Sequence, residues 1–165
     1  MRRVRAGIGY DVHPLMWGRP LILGGVTLDH PRGLEGHSDA DVLTHAVIDA
    51  LLGAAALGTI GEHFPDSDPI YGGASSLDLL SETMKKVGAA GWRVVNLDSV
   101  VTAEAPKLQP HLRQMAALLA DRLGVEPERV GVKATSPEGL GALGRQEGIA
   151  AQVVVLLEPT QSGER

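Results

Sequence analysis

Apolar positions along this chain change period several times, and those changes mark out the elements. Val4 to Val12 alternates well enough to predict a first strand, and Leu21–Thr27 reads as a short hairpin around Gly24-Gly25. After the loop Gly36-His37-Ser38-Asp39, a helical period begins, and Ser38 or Asp39 is the expected N-cap of a helix running to about Leu57. Thr59 to Gly73 is rich in Gly, Pro and Asp and predicts a long loop, of the kind that often carries function. Ser75 or Ser76 is placed to cap a second helix reaching about Ala90. Arg93 to Ala103 alternates as a strand, broken by Glu104-Ala105-Pro106-Lys107. Pro110 suits the first turn of a third helix ending near Gly124. Val130–Ala134 and Ile149–Leu157 read as two more strands, and the tail from Pro159 is expected to fray. Helices between strands predict an α/β sandwich, a mixed sheet with helices covering one face. No linker or repeat divides the 165 residues, so one domain is expected.

Composition narrows the chemistry. Hydrophobic residues make up 44% but aromatics only 3%, so the core is built from Ala, Val, Leu and Ile. The 21 glycines imply tight turns and close backbone approaches. There is no cysteine, which excludes disulfides and thiolate metal sites and fits a reducing cytoplasm. A net charge of -5 argues against a nucleic-acid platform, which needs a basic face. The basic start Met1-Arg2-Arg3-Val4-Arg5 leads into no apolar signal region, and Ala46 to Leu57 is interrupted by Asp49 and Gly53. A soluble, unexported protein without a membrane span is expected.

Candidate chemistry begins at Asp11-Val12-His13. In an extended segment residues i and i+2 share one side, so Asp11 and His13 point together. His45 lies in the first helix on a polar stripe with Asp41 and Asp49, at i, i+4 and i+8. If that helix packs over the first strand, one carboxylate and two imidazoles converge, the three-ligand set of a catalytic zinc with room for substrate. Phe64-Pro65-Asp66-Ser67-Asp68 sets two acids in a turn, where Asx-turn chemistry, taken alone, is the favoured use for them. Lys133-Ala134-Thr135-Ser136-Pro137-Glu138 leaves a strand with hydroxyls before an expected helix N-terminus. That suits phosphate binding or plain N-capping by Thr135 or Ser136.

Taken together, these segments carry a resemblance. Asp11-Val12-His13, His37-Ser38-Asp39-Ala40-Asp41, His45, Asp49–Gly58, Phe64–Asp68, Ala105-Pro106-Lys107 and Gly144–Ala150 occur in the order and at the separations of one family. The chain resembles the 2-C-methyl-D-erythritol 2,4-cyclodiphosphate synthases of the non-mevalonate isoprenoid route, over nearly its whole length. The resemblance implies a homotrimer with interfacial active sites and zinc on Asp11, His13 and His45. It implies a magnesium or manganese ion bridging the substrate diphosphate, and 4-diphosphocytidyl-2-C-methyl-D-erythritol 2-phosphate as substrate. The 2-phosphate would attack the β-phosphate, closing a cyclic diphosphate and expelling CMP. His37 and Ser38 would hold the phosphate and erythritol end, helped by the loop around Asp66. Ala103, Glu104, Ala105, Pro106, Lys107, Leu108 and Gln109, with Thr135, Ser136, Pro137 and Glu138 of the neighbouring subunit, would cradle cytidine and its diphosphate. Ser136 matches a position that assists the transition state. Asp41 and Asp49 are expected to orient the metal site or the substrate.

The same resemblance puts Thr59-Ile60-Gly61, Phe64, Pro65, Ser67 and Asp68 against the substrate, and Ala142 and Arg145 beside a cavity on the three-fold axis that can hold an isoprenoid diphosphate. Three positions depart from the pattern: Ala40 and Ala142 stand where the family usually has Gly and Phe, and Thr59 where it has Asp. Two rival readings are a zinc phosphohydrolase that activates water, and a non-catalytic trimer binding isoprenoid diphosphates around a structural zinc. They separate by product and by ligand count, since structural zinc normally has four protein ligands.

Overall fold

The computed structural model describes residues 4–160. Strand β1 is Arg5–Trp17, followed by β2 (Leu21–Leu23), β3 (Val26–Leu28) and β4 (Arg32–Leu34). Then come helices α1 (Val42–Ala55), α2 (Ile60–His63) and α3 (Ser76–Ala89), strand β5 (Trp92–Thr102) and helix α4 (Leu112–Leu123). Strand β6 (Val130–Thr135), the short helix α5 (Gly141–Gly144) and strand β7 (Gly148–Pro159) complete the chain. The main sheet has the order β4-β1-β7-β5-β6, and β2 and β3 pair separately. Among the described strands only β5 and β6 run parallel, so the sheet is mixed. Among the described residues no helix is long and apolar enough to cross a membrane.

Helix α1 is buried on nearly every side, in keeping with a sequence that is apolar except at Thr44, His45 and Asp49. It lies across β1 and β7, and the seam is made of small residues. Gly7 and Gly9 of β1 face Ala46, Ala50 and Ala54, which recur at i, i+4 and i+8 on α1. A Cβ built on Gly9 would stand 1.9 Å from the Ala46 carbonyl oxygen, and one on Gly7 2.1 Å from that of Ala50. Glycine is required at both places by this close approach. α3 and α4 cover the β5 and β6 end of the same face. The core joins Leu43, Val47, Leu51, Leu80 and Leu119 to Val153, Val155 and Leu157. On the opposite face Ile8, Tyr10, Val12 and Val154 lie open, with Ile8 directly across from Val154.

Several boundaries differ from expectation. β1 continues five residues past Val12 because β4, absent from the sequence reading, pairs with Leu15–Trp17. Three residues carry too little alternation to announce a strand. Asp41, not Ser38 or Asp39, caps α1, its side chain accepting from the Thr44 backbone N–H at 3.0 Å. The 59–73 loop contains α2 and a 3-10 turn at Pro69–Tyr71. Thr135 and Ser136 cap no helix: α5 starts at Gly141, and Ser136 Oγ instead accepts from Glu138 N–H in a local turn. β7 holds through Pro159, and Thr160 N–H bonds to the Gly91 carbonyl, so fraying does not begin at 159; residues 161–165 lie outside the described residues.

Candidate metal centre

The close glycine–alanine seam lays His45 of α1 over Asp11 and His13 of β1. Asp11 Oδ2 is 2.8 Å from His13 Nε2 and 3.2 Å from His45 Nδ1, and the two imidazole nitrogens are 3.2 Å apart. Among the described residues, Asp11, His13 and His45 are the one group of three or more His, Asp or Glu close enough to hold an ion. Ligand atoms about 2.0–2.1 Å from a tetrahedral zinc stand about 3.3 Å from each other. Two of the three separations match that spacing, and the third is slightly contracted.

Both imidazoles are also turned correctly. His13 Nδ1–H donates to the Glu35 carbonyl at 2.5 Å, leaving Nε2 as a lone-pair donor facing Asp11. His45 makes the reverse choice: Nε2 faces the hydroxyls of Ser38 (3.1 Å) and Ser76 (2.9 Å), while Nδ1 faces Asp11. A ligating imidazole needs its far nitrogen held in this way. With no thiolate in the chain, one carboxylate and two imidazoles form a nitrogen and oxygen set suited to zinc.

Electrostatics agree with a cation site. Burial opposes ionisation of Asp11, but hydrogen bonds from His13 and His45, whose protons a metal ion would displace, overcome it and lower its carboxyl to about 2. Burial pulls His13 down, yet Asp11 beside it prevails and its affinity for a proton is raised. The negative charge of Asp66 acts on His13 in the same sense, which brings the 64–68 loop to the edge of the site.

Other expected residues gather around this centre. His37 is exposed, with Nε2 3.2 Å from the Asp68 carbonyl, and its own carbonyl accepts from Gly73 N–H, so its loop is braced on the 68–73 turn. Phe64 is buried edge-on against Tyr71, with ring centres 5.4 Å apart, while Asp66, Ser67 and Asp68 are exposed. Asp68 caps the 3-10 turn through Ile70 N–H. Asp49, one turn below His45, accepts from Ile60 N–H at 2.7 Å and thereby fixes the Thr59-Ile60-Gly61 segment. Burial and the Asp11 charge raise its pKa. Asp41 departs from expectation. It is fully buried, and its carboxylate accepts from Gly24 N–H, Gly25 N–H, Thr44 N–H and the Thr44 hydroxyl, joining α1 to the β2–β3 turn. It is a structural cap, and periodicity alone could not separate it from His45.

A second cluster forms at the ends of β5 and β6. Ala103 N–H bonds to the Thr135 carbonyl, and Glu104 accepts from Gly139 N–H at 3.1 Å and from Ser136 Oγ–H at 3.4 Å, tying the 103–109 and 135–138 segments together. Val12, Ala150, Thr102 and Thr135 are register partners in one row across β1, β7, β5 and β6. The two clusters therefore occupy the same end of the sheet, separated by roughly 10–14 Å of strand spacing within one chain. Ala142 and Arg145 belong to neither cluster; Arg145 pairs with Glu147 at 2.8 Å on the exposed α5 turn. Three residues close to the centre went unforeseen in a site role. Arg19 donates to the Gly36 and Ser38 carbonyls, both at 2.8 Å, and so clamps the backbone on either side of His37. Asp39 and Ser76 stand behind His45; the sequence offered them only as helix caps.

The YgbB family profile matches residues 4–158. The chain belongs to that family. It is 61% identical over 153 residues to the 2-C-methyl-D-erythritol 2,4-cyclodiphosphate synthase of Bordetella petrii, covering 93% of this chain and 94% of that one. The enzyme of that name from Synechococcus elongatus is 57% identical over 157 residues, with 95% and 98% covered. Among solved structures, the bifunctional IspDF of Campylobacter jejuni superposes with a TM-score of 0.93 at 41% identity; 97% of this chain aligns and spans 43% of that longer protein. A 2C-methyl-D-erythritol-2,4-cyclodiphosphate synthase in its CDP-bound form gives a TM-score of 0.85 at 40% identity, covering 93% and 99%.

Proposed function

We infer that this YgbB-family chain is a 2-C-methyl-D-erythritol 2,4-cyclodiphosphate synthase, a phosphorus–oxygen lyase of isoprenoid biosynthesis. It converts 4-diphosphocytidyl-2-C-methyl-D-erythritol 2-phosphate to the cyclic diphosphate and CMP. The observation that carries the reading is the meeting of Asp11, His13 and His45 with both imidazoles correctly turned, in a chain 61% identical to a synthase of that name. Three protein ligands leave a position for substrate, which disfavours a purely structural zinc.

Asp11, His13 and His45 would hold zinc, which together with a magnesium or manganese ion accompanying the substrate would supply Lewis-acid neutralisation of phosphate charge. The chain's own residues align and enclose. An oxygen of the 2-phosphate forms the new bond to the β-phosphorus, the bond from that phosphorus to the bridging oxygen breaks, and CMP leaves with that oxygen. Nucleophile and leaving group share one molecule, so folding it into a near-attack shape removes much of the entropic barrier. His37 and Ser38 hold the phosphate and erythritol end on the backbone that Arg19 clamps. Asp49 sets the Thr59–Gly61 segment, and Phe64, Pro65, Asp66, Ser67 and Asp68 close one wall. Lys107 adds positive charge, and Ser136 donates a hydrogen bond where charge builds up.

The whole chain acts as one synthase domain, assembled as a cytoplasmic homotrimer. Two features support the assembly. Ile8, Tyr10, Val12 and Val154 form an apolar sheet face open to solvent in the single chain. The cytidine-binding segments stand two to three strands from the triad of the same chain, so a neighbour's 103–109 and 135–138 segments can face it. The CDP-bound synthase relative is consistent with a cytidyl ligand there. Arg145 and Ala142 are assigned to an isoprenoid diphosphate subsite on the three-fold axis, with Ala142 withdrawing the apolar half of that contact.

Incubation of purified protein with the cytidyl substrate and magnesium, followed by phosphorus NMR, tests the reading. Cyclic diphosphate and CMP should appear together and vanish with chelator. Ring-free hydrolysis products would instead identify a phosphohydrolase.

A further inference from the structure

The turn that carries Ser136 is built against the ordinary preference of its backbone. Glu138 has φ 55° and Gly139 φ 72°, two left-handed residues in succession, and only the second is a glycine. In that region the glutamate Cβ crowds the following carbonyl oxygen, and the conformation persists only where its surroundings hold it. Within the turn, Ser136 Oγ accepts from Glu138 N–H at 3.0 Å, and the Pro137 carbonyl accepts from Leu140 N–H at 2.9 Å. On one side Gly144 of α5 packs so closely that a Cβ there would stand 2.1 Å from the Gly139 carbonyl carbon. Ser136, Glu138 and Gly139 are otherwise exposed, so the other side of the turn needs a support.

Glu104 supplies it. The ladder between β5 and β6 ends at Thr102 and Thr135, and Ala103 N–H still reaches the Thr135 carbonyl. One residue further on, the half-buried Glu104 carries the connection past the end of the ladder. Its Oε2 accepts from Gly139 N–H at 3.1 Å and from the Ser136 hydroxyl at 3.4 Å. A backbone N–H can only donate and a carboxylate can only accept, so the Gly139 bond has a single reading. It falls on the amide that directly follows the strained Glu138. Among the described residues, no other side chain from outside the turn is hydrogen-bonded to it.

We propose that Glu104 is a positioning residue: it holds the 136–139 turn in its left-handed shape and thereby sets Ser136 where the reacting phosphates meet it. The inference rests on the role given to Ser136 above. It makes Glu104 the link between the 103–109 segment, which takes the nucleoside, and the turn that acts on the phosphates. The carboxylate is occupied by the turn, and direct contact with a diphosphate would set like charges together. Losing this brace should therefore slow the chemical step without weakening nucleotide binding.

Three measurements on the full-length protein test this: amide exchange at Gly139 by NMR, CDP affinity by calorimetry, and steady-state turnover of the cytidyl substrate with magnesium. Gly139 N–H should be protected in the wild type and exchange at least about tenfold faster in Glu104→Ala. That variant should lose about 10–100-fold in kcat, with KM and CDP affinity unchanged. Glu104→Gln keeps a carbonyl for Gly139 N–H and should recover most of both losses. Gly139→Ala leaves Glu104 in place and its new methyl meets nothing within 4 Å, but it sets an L side chain at φ 72°. It should lower kcat in the same way, and the double variant should fall no further than the worse single one. A wild-type Gly139 amide that exchanges as freely as an unbonded one would overturn the proposal, and that measurement needs no variant to fold. So would a folded Glu104→Ala enzyme with wild-type kcat, or one whose whole loss lies in KM and CDP affinity. Wild-type protein that protects Gly139 through Glu104 yet forms no cyclic diphosphate would instead sink the synthase reading, leaving the brace standing.

Discussion

Replacing Gly9 by alanine should separate the two halves of the metal centre. The added methyl would stand 1.9 Å from the Ala46 carbonyl oxygen and 2.8 Å from Ala50 N, both backbone atoms that no side-chain rotation can move aside. Non-bonded carbon–oxygen contacts rest a little above 3 Å, so α1 must lift off β1 by about 1.2 Å. Overpacking a well-filled seam costs about 1–3 kcal/mol, and a clash with backbone belongs at the upper end. For a chain of this size that corresponds to a fall of about 6–12 °C in Tm. His45 precedes Ala46 and travels with it, whereas metal–ligand distances tolerate only about 0.2 Å. Zinc affinity should therefore drop by at least about tenfold. Thermal unfolding at fixed protein concentration and zinc titration read the two effects. Gly88→Ala is the matched control: its Cβ meets nothing within 4 Å, so it should be neutral or stabilise α3 by up to about 1 kcal/mol. A Gly9→Ala protein with wild-type Tm and zinc affinity would show that the seam does not set the ligand geometry.

Three more expectations follow from the same structure. Asp41→Ala leaves three backbone N–H groups and the Thr44 hydroxyl without their acceptor and should cost about 3 kcal/mol or more in denaturant unfolding, whereas Asp49→Asn, which retains a carbonyl for Ile60 N–H, should cost less than about 1 kcal/mol. In chelator, the raised His13 pKa adds stability that is complete below its ordinary 6.5 and lost as pH rises through the raised value; the lowered Asp11 carboxyl adds stability present above 3.8 and lost as pH falls toward 2. The pH profile of unfolding should thus fall at its alkaline end, and His13→Gln should remove that limb. Val154→Asp, on the open sheet face, should reduce the mass found by light scattering to that of one chain if this face joins the subunits.

Much of this architecture could be read from residue order because it rests on local pattern. The i, i+2 spacing of Asp11 and His13 puts both on one side of β1, and the apolar run after Asp41 announces α1. What escaped depends on contacts distant in sequence. β4 is three residues long and exists because the end of β1 needs a partner. Asp41 shares the polar spacing of His45 yet turns toward Gly24 and Gly25, 17 and 16 positions away. Asp39 meets Ser76 across 37 positions, so each looked like nothing more than a helix cap. Thr135 and Ser136 resembled a helix start because hydroxyls before a Pro and a Glu fit that template, but four glycines spaced through 139–148 favour a turn and a single helical coil.

The hold on His13 has an evolutionary consequence. The carbonyl of residue 35 is present whatever side chain stands there, so mutation of Glu35 leaves this anchor untouched. The opposite imidazole depends on particular side chains at 38 and 76, which single substitutions can remove. Drift in the gene thus threatens one half of the cage far more than the other. Lineages losing activity should accumulate their earliest damage around the helical histidine.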